Sequence, residues 1–162
     1  LRNEGKEPDI IVLSGSHRAN HESVLHLRTI LPVFATPLLN ELRAGNFQGM
    51  SRSEIKRVAP TEFERREKDK LRYRYPGVGG ESYMDVVERV RPVIIELERQ
   101  RRSVAVVCHT AVLRCIYAYF MGTPVSEMPF LQFNLGEIIE LTPGPFGCEA
   151  RRIRPSAEVR SG

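Results

Sequence analysis

Two short, unbroken apolar runs constrain this chain more than any other feature: Ile10-Ile11-Val12-Leu13 and Val104-Ala105-Val106-Val107-Cys108. Both are rich in β-branched residues, and each breaks into small or polar residues before a stretch with helical periodicity. That is the pattern of a buried parallel strand feeding a helix. Val33-Phe34-Ala35 reads as a third short strand. Helices are expected over about residues 20–30, closed by Pro32, over 82–100 with Ser82 as cap and Pro92 as a bend, and over 111–121 with Gly122 at the end. The capping boxes Ser51-x-x-Glu54 and Thr61-x-x-Glu64 predict two shorter helices. Residues 137–142 and 148–153, separated by Pro143-Gly144-Pro145, read as a closing pair of strands. Strands alternating with helices predict an α/β fold, a three-layer sandwich with a mostly parallel sheet flanked by helices.

With 162 residues the chain can build one substantial core and not two comfortable ones. The expected division is one domain over 1–154 and a disordered tail from Pro155 onward. The opening residues, Leu1 to Gly5, read as the end of a helix, so the domain is expected to be incomplete at its N-terminal side. A sheet lacking a strand should expose an open edge, through which the isolated chain would aggregate or pair into homo-oligomers. No apolar run approaches a membrane span and no segment reads as a signal peptide. Three cysteines, Cys108, Cys115 and Cys148, form neither a disulfide framework nor a zinc site, which fits a reducing, cytoplasmic setting. A net charge of +4 suits an anionic partner without choosing one.

In layered α/β proteins, ligand sites gather at the carboxyl ends of parallel strands, where helix N-termini favour anions. Arg18, after the first run, and His109, after the run at 104–108, would stand there. Position alone leaves His109 open between a satisfied core side chain and a ligand. Glu41 is a loop carboxylate between Leu39 and Leu42; if partly buried it could protonate a leaving oxygen, and otherwise it is a solvated acid. Residues 65–75 concentrate cations and tyrosines, with Arg66 and Lys70 four apart on one helical face, where both could reach one phosphate. The acids interleaved along the chain argue against a nucleic-acid surface. Cys108 and His109, adjacent at a strand end, point to opposite faces, so Cys108 reads as a core residue and not a nucleophile. His17, His21 and His26 have poor spacing for a metal.

Three segments carry a resemblance: 66–76 (Arg66-Glu67-Lys68-Asp69-Lys70-Leu71-Arg72-Tyr73-Arg74-Tyr75-Pro76), Gly80-Glu81-Ser82-Tyr83, and Val107-Cys108-His109-Thr110-Ala111-Val112-Leu113-Arg114. In them the chain resembles the bisphosphatase halves of the 6-phosphofructo-2-kinase/fructose-2,6-bisphosphatases, within the phosphoglycerate-mutase-like histidine phosphatases. The resemblance implies that fructose 2,6-bisphosphate loses its 2-phosphate through a phosphohistidine, with no cofactor or metal. It implies that Arg18 binds the transferred phosphoryl group, Glu41 is the general acid and His109 donates to phosphoryl oxygens. Arg66, Lys70, Tyr83 and Arg114 would hold the sugar's other phosphate, with Thr110 beside them. It also implies a kinase domain preceding this one in the same polypeptide. The family's Arg-His-Gly nucleophile motif is absent from the 162 residues, and its strand is expected upstream of Leu1. Arg52 stands where the family has a tyrosine, and Thr110 where it has a glutamine. The alternatives are a phosphatase or mutase for another small phosphate ester, and a non-catalytic phosphate-binding module.

Overall fold

The computed structural model describes residues 9–154. Three parallel strands form one sheet in the order β2 (Val33–Thr36), β1 (Ile10–Gly15), β3 (Ser103–Val107). β1 lies in the centre, pairing Gly15 with Thr36 on one side and Ser14 with Val107 on the other. The three carboxyl ends therefore finish level, and every loop leaving them starts from the same rim.

Helix α1 (Arg18–Val24) follows β1 and packs on β1 and β3. Helices α2 (Arg52–Val58) and α3 (Pro60–Lys68) pack on each other. The main core lies between α4 (Tyr83–Arg99) and α5 (Thr110–Met121). α4 buries Val86, Val90, Val93 and Ile94, and α5 buries Ala111, Val112, Cys115, Ile116 and Ala118, with Leu39, Leu71 and Met128 closing the cluster. Val86, Val90 and Val112 have no exposed surface, and each contributes roughly 1.5–3 kcal/mol by leaving water. Leu13 and Val106 join this cluster from the sheet. Side chains alternate along a strand, so Val12 points the other way; Val12 and Val24 are fully buried outside the cluster. Helices thus cover both faces of a parallel sheet, as the apolar runs predict.

Gly15 shows how tight the rim is: a Cβ there would lie 2.0 Å from Nδ2 of Asn20. Asn20 is buried and donates to the Val107 carbonyl at 3.4 Å, tying α1 to the end of β3.

Several sequence expectations are corrected. The helix expected over 20–30 starts earlier and ends at Val24, with a separate 3₁₀ turn at Leu27–Thr29. Thr61 caps nothing: α3 begins at Pro60 and has no side-chain cap, because proline's fixed φ suits the first helical position. The strand at 104–108 is not deeply buried. It runs Ser103–Val107 with Ser103 and Ala105 exposed, because among the described residues β3 pairs only with β1. The closing strands extend further than expected, to β4 (Ile138–Gly144) and β5 (Gly147–Ile153), an antiparallel hairpin separate from the main sheet. Pro143 pairs with Cys148, and Gly147 at φ +138° lets the chain reverse. Ser51 and Ser82 do form capping boxes, with Glu54 and Asp85. Pro92 lies inside α4 on its exposed side. The helix end expected at Gly5 and the tail from Pro155 lie outside the described residues.

Candidate active site

Each strand of the sheet delivers one piece of a cluster. β1 leads to Ser16 and His17, β2 leads to Asn40 and Glu41, and β3 leads to His109. The first two pieces are locked together by Asn40, whose Oδ1 accepts the amides of Ser16 at 2.7 Å and His17 at 3.2 Å, while its Nδ2 donates to the Ser16 hydroxyl at 2.9 Å. His109 is the N-cap residue of α5. Its ring meets that of His17 edge-on with centroids 6.0 Å apart, and its Nδ1 lies 3.9 Å from Oε2 of Glu41.

Glu41 is partly buried, with its side chain 37% exposed. One oxygen accepts the amide of Leu42 at 2.9 Å, and the other is left facing His109. Nε2 of His109 is buried without a hydrogen-bond partner. A buried ring nitrogen without a partner is costly, and a bound phosphate oxygen would satisfy it. Arg18 stands in the first turn of α1, close in sequence to His17, but its side chain is exposed and pairs with Glu22 at 2.6 Å.

A second group of residues sits beside this one. Arg114, on α5, donates to the Tyr83 hydroxyl at 2.6 Å and to the Leu131 carbonyl at 2.8 Å. Lys70 donates to the Pro129 carbonyl at 2.6 Å, with its ammonium 5.2 Å from the Phe130 ring centre and 6.0 Å from that of Tyr83. Burial, reinforced by Arg114 and Arg66, pulls the Lys70 pKa down to about 8. The guanidinium of Arg66 lies over Tyr75 at 5.8 Å and pairs with Glu67, which also holds Arg52 at 2.7 Å. Tyr83 is buried, which raises its phenol pKa against the opposing pull of Arg114; the charge of Glu41 also acts on it. Thr110 is the first residue of α5 and is exposed.

Sequence reasoning missed Asn40, the carbonyls of Pro129 and Leu131, and Arg89, described below. Asn40 had a faint signal as an asparagine directly before the candidate acid; backbone acceptors carry none. Cys108 is excluded as a nucleophile, since burial pushes its thiol up to about 12. Among the described residues no group of three or more His, Cys, Asp or Glu could hold a metal ion, and no helix is long and apolar enough to cross a membrane.

Comparison with known proteins places this arrangement. The chain is 51% identical over 116 residues to the 6-phosphofructo-2-kinase/fructose-2,6-bisphosphatase of Arabidopsis thaliana, covering 72% of this chain and 15% of that one. It is 49% identical over 121 residues to the protein of that name from Gallus gallus, covering 75% and 25%. The chain thus spans about a quarter or less of these relatives. A mycobacterial glucosyl-3-phosphoglycerate phosphatase, solved with inorganic phosphate, superposes with a TM-score of 0.67 at 26% identity, covering 90% of this chain and 75% of that one. The profile of the histidine phosphatase superfamily (branch 1) matches residues 2–154. A parallel sheet whose rim joins His109, Glu41 and the arginine-bearing first helix fits that match, and the chain belongs to the histidine phosphatase superfamily.

Proposed function

We propose that this chain is the phosphatase part of a larger, cytoplasmic enzyme that hydrolyses the 2-phosphate of fructose 2,6-bisphosphate, with a kinase domain in the same polypeptide. The observation that carries the reading is the cationic clamp of Arg66, Lys70 and Arg114 around Tyr83, next to an acid–imidazole pair. A phosphomonoester needs only the pair; a second phosphate on the same sugar gives the clamp its purpose.

In this reading a histidine nitrogen from outside these 162 residues attacks the phosphorus of the 2-phosphate. The P–O bond to the anomeric carbon breaks, and the departing oxygen takes the proton of Glu41. Water then attacks the phosphohistidine, giving up its proton to the Glu41 carboxylate and releasing phosphate. Nε2 of His109, unpartnered in the structure, donates to a phosphoryl oxygen as charge develops there. Arg18 reaches the same oxygens by exchanging its exposed pairing with Glu22 for the phosphoryl group. Arg66, Lys70, Tyr83 and Arg114 bind the 6-phosphate, with Thr110 at the rim. Since one superfamily fold serves different phosphate esters, substrate choice rests on the clamp.

Kinetics of Lys70→Ala in the intact protein test this. KM for fructose 2,6-bisphosphate should rise while turnover of a simple phosphate monoester stays the same. An unchanged KM would defeat the substrate assignment and favour another small ester.

A further inference from the structure

Arg89, on α4, is spent almost entirely on one loop. Its guanidinium meets Glu81 with two hydrogen bonds, Nε to Oε1 at 2.9 Å and NH2 to Oε2 at 3.2 Å. The remaining N–H groups fan onto backbone carbonyls: NH1 donates to Leu38 at 2.7 Å, Asn40 at 3.0 Å and Pro37 at 3.4 Å, and NH2 to Glu41 at 3.5 Å. Glu81 grips the far end of the same loop, accepting the Arg43 amide at 3.0 Å and its guanidinium at 3.1 Å. The Glu81 amide in turn donates to the Arg43 carbonyl at 2.9 Å. The two side chains are 5% and 15% exposed. Burial alone would raise the Glu81 carboxyl, but the Arg43 amide and the Arg89 guanidinium outweigh it and hold the pKa below its ordinary value.

An ion pair this buried is a poor way to add stability, because apolar side chains could fill the same space without desolvating charge. What they could not do is hold four carbonyls in one direction. Among the described residues the Glu41 carboxylate has one hydrogen-bond donor, the adjacent Leu42 amide. Its aim at His109 is therefore inherited from the backbone of residues 37–43, and that backbone is set by Arg89 and Glu81.

We propose that Arg89, braced by Glu81, is a positioning residue for Glu41, holding the acid in line with the phosphate's leaving oxygen. The inference rests on the reading of Glu41 as the general acid. Lysine at position 89 would keep the charge pairing but could not serve the carbonyl fan, so Arg89→Lys separates positioning from charge.

The test compares wild type, R89K and E41Q in the intact protein on fructose 2,6-bisphosphate and on p-nitrophenyl phosphate, whose leaving group needs little protonation. R89K should lose about ten-fold or more in kcat on the sugar bisphosphate, with KM changed less than about two-fold and a much smaller loss on p-nitrophenyl phosphate. E41Q should show the same dependence on leaving group, and the double variant no further loss. Equal losses on both substrates, or a loss that vanishes once activity is normalised to folded protein, would overturn the proposal. Hydrogen exchange supplies a readout without turnover. In R89K the amides of residues 38–43 should exchange about ten-fold faster or more, while those of β1 and β3 stay unchanged. If wild type turns over neither substrate, the functional reading fails on its own, and an unaltered exchange rate in this loop still overturns the positioning role.

Discussion

Arg114 and Tyr83 share a 2.6 Å hydrogen bond, and the ammonium of Lys70 lies 6.0 Å from the centre of the same phenol ring. Two cations thus crowd one buried aromatic with no carboxylate paired to either among the described contacts. Burial, with the charges of Arg114 and Arg66 added to it, pulls the Lys70 pKa down to about 8 from an ordinary 10.5.

The first prediction concerns pH. Above about 8, Lys70 loses its proton and the clamp loses a cation, so KM for the sugar bisphosphate should rise between pH 7 and 9. Folding stability should respond with the opposite sign. Between about 8 and 10.5 the folded chain binds fewer protons than the unfolded one, so Lys70 makes stability rise with pH across that window. Lys70→Met should flatten both responses. Lys70→Ala should raise KM by about 10- to 100-fold, from the loss of about 1.5–3 kcal/mol in a hydrogen bond to a charged group. Steady-state kinetics and urea melts across this range measure both.

Glu41→Gln keeps shape and removes the proton. Turnover of fructose 2,6-bisphosphate should fall by roughly 10²- to 10⁴-fold, the usual worth of a placed general acid. Substrate binding should barely change. A variant that retained near wild-type kcat would remove Glu41 from the chemistry.

Ser82 and Asp85 start α4 with a reciprocal cap: Ser82 Oγ accepts the Asp85 amide at 3.2 Å, and the Asp85 carboxylate accepts the Ser82 amide at 2.7 Å. Ser82→Ala should cost about 1 kcal/mol in urea denaturation at pH 7. Burial would raise the Asp85 carboxyl, but the Ser82 hydrogen bonds and Arg74 prevail and lower it. This contribution is therefore present above the ordinary value of 3.8 and is lost as pH falls through the lower, folded value. The cost of the substitution should shrink in acid.

Ala105 is exposed on β3, whose outer side has no strand partner among the described residues. A lysine on such an edge discourages pairing between chains. In the isolated 162-residue chain, Ala105→Lys should reduce concentration-dependent association in sedimentation velocity while changing stability by no more than about 0.5 kcal/mol. Identical sedimentation of the two proteins would mean that this edge is not the self-association surface.

The strands were legible because the apolar, β-branched runs at positions 10 and 104 mark them, although the second is less buried than its composition suggests, and α4 and α5 were legible because their buried faces recur at helical spacing. The place of His109 at the rim was legible from the strand before it, while position alone left its role open. Glu41 was not, since nothing local distinguishes an aimed carboxylate from a solvated one; its surroundings come from Arg89, far along the chain. Arg89 looks like any surface arginine of an amphipathic helix until its partners are folded under it. Thr61 misled because a serine- or threonine-led box competes with a proline one residue earlier, and the proline sets the helix start.

The central position of β1 has a consequence for how the protein is made. Its register with β3 joins Ile10 to Ser103, so the rim is closed by residues translated long after β1 and Glu41 have emerged. Long-range parallel pairing of this kind is slow to form. A nascent chain that has emerged only past Glu41 has no His109 opposite it, and the rim joins the two only once β3, at Ser103–Val107, has docked. Any ligand that bridges this rim would therefore stabilise chains in which β3 has docked and not shorter ones.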